Sequence, residues 1–184
     1  MINGQTVLAV IPARGGSKRA PRKNVRPFRG IPLILWSFGE GLKSRYIDTL
    51  ICSTDDEEVK QIASKHLLFT IDRPAHLGSD TASNEDVLRH ALSLSPHDWV
   101  VLLQPTSPLR TVDDIDQCLE LARDVHPVVS VREDGSKNGA VYVANAKWLL
   151  NGNNFSRPHV PYRMPDSRSL DIDYPEQFLE EVAA

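Results

Sequence analysis

The chain has 184 residues, 41% of them hydrophobic and 24% charged, which suits a single domain over residues 1–184 with a core that needs no disulfide or metal staple. A net charge of −3 and a pI near 6.1 exclude a general nucleic-acid-binding face, so any basic cluster is a local feature. No apolar run approaches the ~20 residues that span a membrane, and no basic-then-apolar leader opens the chain. With no nucleic-acid or membrane partner indicated, a cytoplasmic protein is expected.

Val7-Leu8-Ala9-Val10-Ile11 is a continuous aliphatic run and reads as a strand buried on both faces. Pro12 and the Gly15-Gly16 pair stop it, and Arg14, Lys18, Arg19, Arg22 and Lys23 follow. Glycines there let backbone amides turn toward an anion, and the cations can neutralise several phosphates. The spacing matches neither G-x-x-x-x-G-K-[ST] nor G-x-G-x-x-G, so a solvated basic turn stands as the competing reading.

Pro32 then opens a helix that presents Leu33, Leu35, Trp36, Phe38 and Leu42 on its apolar face. Residues 48–53 read as a second strand. Thr54, with acids behind it, reads as the hydroxyl cap of the next helix. Residues 67–71 form a short third strand, and residues 73–84 a polar loop long enough to bind something. A helix over 84–94 turns Val87, Leu88, Ala91 and Leu92 inward. Residues 98–103 are another apolar strand, ending in the loop 104–110. Thr111 opens a helix with Ile115, Cys118, Leu119 and Ala122 facing in. Strands over 127–131 and 140–144 follow, parallel or antiparallel, then a short helix over 145–150. The tail carries a last helix to about Val182. Cys52 and Cys118 read as buried free thiols, and the histidines show no ligand spacing.

Alternating strands and helices argue for an α/β fold with a mostly parallel sheet. In such sheets ligands bind beyond the carboxyl ends of the strands. The loops 13–24, 73–84 and 104–110 all fall on that rim. Asp171 and Asp173 are the second chemical feature. Extended backbone puts both on one side with Ile172 on the other. A magnesium ion shared with substrate phosphates would relieve their repulsion. An acid cluster at the start of the terminal helix is the alternative. Triphosphate, divalent cation and a second pocket together suit nucleotidyl transfer.

Ile-Pro-Ala-Arg-Gly-Gly-Ser-Lys-Arg (11–19), Pro-Arg-Lys-Asn (21–24), Ser-Thr-Asp (53–55), Arg-Pro-Ala (73–75), Ser-Asp-Thr-Ala-Ser (79–83), Leu-Leu-Gln-Pro-Thr-Ser-Pro-Leu-Arg (102–110), Asn-Gly-Ala-Val-Tyr (138–142) and Asp-Ile-Asp (171–173) occur in this order. Together they resemble the acylneuraminate cytidylyltransferase family, the CMP-sialic acid synthetases. The resemblance implies a three-layer, Rossmann-like nucleotidyltransferase fold, CTP as donor, magnesium as cofactor, and a small acidic acceptor such as a keto-sugar acid.

By matching position, Arg14, Lys18 and Lys23 would act on the triphosphate, with Ala13, Gly15, Gly16 and Ser17 around it. Asn24, Arg73, Ala82 and Asn84 would lie at the cytidine, Gln104 and Tyr142 at the acceptor, and Asp171 and Asp173 at the metal. One departure stands out. Between Val131 and Asn138 only a short turn remains, where the family carries a dimerisation and sugar-binding excursion. Arg110, Arg132 or Lys137 could then meet the acceptor's acid group. A smaller acid such as a phosphonate is the alternative acceptor, and a non-catalytic CTP- or CMP-binding homologue the alternative function. A homodimer is compatible with the family but loses its usual arm.

Overall fold

The computed structural model describes residues 1–2, 4–122 and 126–178. In chain order the elements are β1 (Val7–Pro12), β2 (Pro27–Phe28), β3 (Ile31–Pro32), α1 (Leu33–Lys43), β4 (Thr49–Thr54), α2 (Glu57–Lys65), β5 (Phe69–Asp72), α3 (Asn84–Leu94), β6 (Trp99–Leu102), α4 (Val112–Leu121), β7 (Val128–Val131), β8 (Lys137–Asn145), α5 (Ala146–Leu150) and β9 (Val160–Arg163). Seven strands form one sheet in the order β5-β4-β1-β6-β8-β7-β9, and β2 and β3 make a separate ribbon. β8 pairs antiparallel with both β6 and β7, while every other pair in the sheet is parallel.

The alternation along β1 explains the three layers. Val7, Ala9 and Ile11 join a core with Ile34 and Phe38 of α1, Val59 of α2, and Ile115 and Leu119 of α4. Leu8 and Val10 point the other way, into a core with Leu88 and Leu92 of α3 and Leu149 of α5. β1 is therefore an interior strand covered on both faces, as its unbroken apolar run predicts. The chain goes β1, β4, β5 to one side and returns to β6 on the other side of β1. That reversal leaves a crevice above the carboxyl ends of β1 and β6.

Three expectations are corrected. The cap of α2 is Asp56, whose carboxylate accepts from the Glu58 and Val59 amides. Thr54 is committed elsewhere, its hydroxyl donating to the Ala13 carbonyl at 2.6 Å. The tail contains a strand, β9, which extends the sheet beyond β7. The expected terminal helix begins as a 3₁₀ turn, Pro175–Phe178, and its continuation to Val182 lies outside the described residues.

Candidate active site

The three rim loops meet as their places in the chain predict. A cavity of about 300 Å³ opens beyond the strand ends, with Arg14, Ser17, Lys23 and Asn24 from the first loop on its wall. Arg73, Ala82 and Asn84 line it from the second, Gln104 and Thr106 from the third, and Asp171 and Asp173 from the tail. Lys18 lies outside this lining. It borders an adjoining cavity of about 390 Å³, shared with Arg14, Lys23, Asp80 and Asp173. Ala13, Gly15 and Gly16 do not line either cavity. Ala13 is wholly buried, and its amide donates to the Ser53 carbonyl at 2.9 Å, tying the start of the loop to β4.

The basic loop is not an open nest of amides. The Gly15 N–H donates to Asp55 Oδ1 at 2.9 Å. A Cβ at Gly15 would stand 2.9 Å from Asp56 Oδ2, so a side chain here would push the Asp56 carboxylate that caps α2. Acids match the loop's cations one after another. Asp80 pairs with Arg14 at 2.9 Å and Lys18 at 2.5 Å. Asp173 pairs with Arg19 at 2.7 Å and Lys23 at 2.9 Å. Arg22 pairs with Glu58 on α2. Asp55 and Asp80 are contacts that sequence reading missed. Both stand in matched motifs, but their partners lie 40 or more residues away.

The tail is held by packing. Ile172 is wholly buried in a small cluster with Phe28, Leu33 and Phe178. Its amide donates to the Thr106 carbonyl at 2.8 Å. Gln177 closes the other side, accepting from the Asp173 amide at 2.7 Å and donating to the Asp171 carbonyl at 3.0 Å. Both carboxylates are thereby turned to the cavity, as alternation predicts, although this segment belongs to no strand.

The two carboxylates differ electrically. Burial lifts the Asp171 carboxyl above the ordinary range; the Asp173 charge adds to this, while a Thr106 hydrogen bond opposes it. Asp173 is partly desolvated too, but the hydrogen bond and charge of Lys23, with Arg19 behind, hold it below the ordinary range. Among the described residues no group of three or more His, Cys, Asp or Glu gathers to hold a metal. A cation here would need ligands from a substrate.

Arg73 is 8% exposed and donates to the Ser53 carbonyl at 2.7 Å and its hydroxyl at 3.2 Å, so burial, which lowers its pKa, is offset by fixed partners. Asn24 donates to the Arg14 carbonyl at 3.0 Å. Tyr142 does not line the cavity. Its ring packs on Phe155 with centroids 5.1 Å apart. Burial pushes its phenol up to about 12, with Asp171 and Glu85 adding to the shift, which puts it within electrostatic reach of Asp171. Gly139 separates the two: its φ is +75°, and a Cβ there would meet Gln104 Oε1 at 2.7 Å and Asp171 Oδ2 at 3.9 Å.

Of the cations offered for the acceptor's acid group, two are committed elsewhere. Arg110 is wholly buried and donates to the Gln104 and Ala140 carbonyls and the Ser37 hydroxyl, bracing the third loop from beneath. Lys137 donates to the Phe155 carbonyl at 2.5 Å. Arg132 follows β7 on the same rim, contributes to the potential at Asp171, and has no side-chain partner among the described residues.

The family model for cytidylyltransferases matches residues 8–157. An N-acylneuraminate cytidylyltransferase of Escherichia coli O18:K1:H7 is 30% identical over 205 residues, covering 91% of this chain and 49% of that protein. A CMP-N,N'-diacetyllegionaminic acid synthase of Legionella pneumophila is 30% identical over 215 residues, covering 92% of this chain and 91% of that protein. Both alignments are longer than the chain's 184 residues, so both relatives carry positions without a counterpart here. The chain spans about half the length of several curated relatives that it matches. Among solved structures, a CMP:2-keto-3-deoxy-manno-octonic acid synthetase complexed with CTP shares the fold, with a TM-score of 0.80 at 16% identity over 95% of this chain and 96% of that one.

Proposed function

The chain belongs to the cytidylyltransferase family, and from that premise we propose that it transfers the CMP unit of CTP to a small keto-sugar acid of the nonulosonic type, releasing pyrophosphate. One observation carries this reading. The cation-rich loop, the pocket formed by Asn24, Arg73, Ala82 and Asn84, and the Asp171/Asp173 pair share the walls of a single cavity. A donor nucleotide laid along it would have its base and its phosphates met by different loops of one rim.

In the reaction, an acceptor oxygen forms a bond to the α-phosphorus while the bond from that phosphorus to the bridging oxygen of pyrophosphate breaks. Arg14, Lys18 and Lys23 neutralise the charge that grows on the leaving group. Asn24 and Arg73, fixed by their own hydrogen bonds, hold the nucleoside end without rearrangement. Gln104, propped by Arg110 and Ser37 through its carbonyl, faces the acceptor side, with Tyr142 behind it. Arg132 is the cation left to meet the acceptor's acid group.

Asp171 and Asp173 are hard oxygen donors, and Asp171 makes no ion pair among the described residues, which fits magnesium completed by substrate phosphates. When bound, magnesium would offset phosphate charge and make the acceptor hydroxyl more acidic. The reading takes residues 1–184 as one nucleotidyltransferase unit; its assembly as a homodimer is a separate question for sizing in solution.

The test is pyrophosphate release from CTP and magnesium with a panel of nonulosonic acids, 3-deoxy keto-acids and phosphonates. Release with the sugar acids is expected. Release with phosphonates alone would replace the acceptor, and CTP binding without release on any acid would leave a nucleotide-binding homologue.

A further inference from the structure

The loop proposed to hold the polyphosphate is already occupied by an anion of the protein itself. Asp80 places Oδ1 2.9 Å from Arg14 and Oδ2 2.5 Å from Lys18. Its two oxygens stand where two phosphoryl oxygens would have to bind those cations. Asp80 borders both cavities, as do Arg14 and Lys23.

The carboxylates around this loop are not equally replaceable. Asp55 holds a backbone amide. Asp173 sits in a segment pinned by buried Ile172 and bonded by Gln177. Among the described residues Asp80 has no such anchorage. It lies in an exposed stretch, Ser79-Asp80-Thr81, whose flanking hydroxyls bond, among the described residues, to each other and to the His76 carbonyl. Its side chain is 43% exposed and its ion pairs are the contacts that hold it. Lys18, then Arg14, keep its carboxyl below the ordinary range, so it stays charged through the neutral region.

We propose that Asp80 is an internal competitor for the polyphosphate, filling the Arg14–Lys18 clamp until a ligand displaces it and so setting how much charge an anion must bring to enter. This rests on the reading of the loop as a polyphosphate site. A phosphate monoester offers little more than the carboxylate it must displace. A diphosphate or triphosphate spans both cations, reaches Lys23 as well, and wins. Competition of this kind lowers the affinity of every anion that takes the clamp, and the anions with the most charge still bind. The same carboxylate returns to the clamp as pyrophosphate departs.

The test uses the full chain and calorimetric titration with CTP, pyrophosphate and orthophosphate, comparing wild type with Asp80→Asn and Asp80→Glu. Two exposed ion pairs set the scale of the competition. Asp80→Asn should therefore bind pyrophosphate about threefold to thirtyfold more tightly. Asp80→Glu, which keeps the charge, should behave like wild type, and unchanged melting curves show that both variants are folded. Equal or weaker pyrophosphate binding by Asp80→Asn overturns the proposal and makes Asp80 an orienting partner of Arg14 and Lys18. A wild-type protein that binds neither CTP nor pyrophosphate overturns the polyphosphate reading itself, and the competitor with it.

Discussion

The side of the cavity proposed to take the nucleotide and the side proposed to take the acceptor are built differently. Above β1 and β4, cations and acids interlock: Arg14 and Lys18 with Asp80, Lys23 and Arg19 with Asp173, the Gly15 amide with Asp55. Above β8 and β7 stand Gly139 against the Gln104 side chain, a tyrosine turned onto Phe155, and Arg132, whose charge acts on Asp134 and Asp171 without a hydrogen bond to either. The first side holds a dense set of charges already in place, so its ligand exchanges ion pairs rather than creating them. The second is sparse in charge. On the proposed function, the difference means that donor chemistry is written into the rim, whereas acceptor choice rests on a few side chains.

Asp171→Asn breaks the comparison at its hinge and should have the largest effect. Turnover should fall by about 10²–10³-fold or more, because the lost carboxylate acts where charge develops. Stability should not fall. Burial already disfavours the Asp171 charge, so an amide of the same shape removes a penalty, and the melting temperature without ligand should hold or rise. Pyrophosphate release at the wild-type rate would sink the assignment of this residue.

Arg132→Ala sharpens the acceptor side and should act less strongly. A charge-assisted contact to an acid group is worth roughly one to two powers of ten. The acceptor KM should rise about tenfold or more with the CTP KM nearly unchanged, and Arg132→Lys should recover part of the loss. An unaltered acceptor KM would show that another group reads the acid.

These two residues also mark how far the sequence could be read. The strand Val7–Pro12 and the helix Asn84–Leu94 were legible because their apolar periods are unambiguous. The rim loops were legible because each follows such a strand. β9 was not, since Val160-Pro161-Tyr162-Arg163 is a short edge strand with a proline and little burial. Thr54 looked like a cap, but its hydroxyl was claimed by a carbonyl from β1's loop. The ion pairs were invisible for the same reason: Lys23 and Asp173 are 150 residues apart. Motif matching gathered the candidates, but only the fold separates Arg132, with no side-chain partner among the described residues, from Arg110, which is buried to brace a loop.

The smallest expected effect lies in pH. Asp171 has a raised folded pKa, so the folded protein holds that proton more tightly than the unfolded chain. Its charge is a stability penalty at neutral pH that is relieved as pH falls through the raised value. Asp173 is the reverse: its lowered pKa gives stability present above the unfolded value of about 3.9, lost as pH falls through the folded one. A protonated Asp171 cannot hold a cation, so the acid limb of kcat/KM should lie above the ordinary carboxylate range. Protons and magnesium compete for that oxygen. Raising magnesium tenfold should therefore move the limb to lower pH, by at most about one pH unit for a single competing proton. A limb that ignores magnesium would detach the titrating group from the metal and leave the two carboxylates with separate tasks.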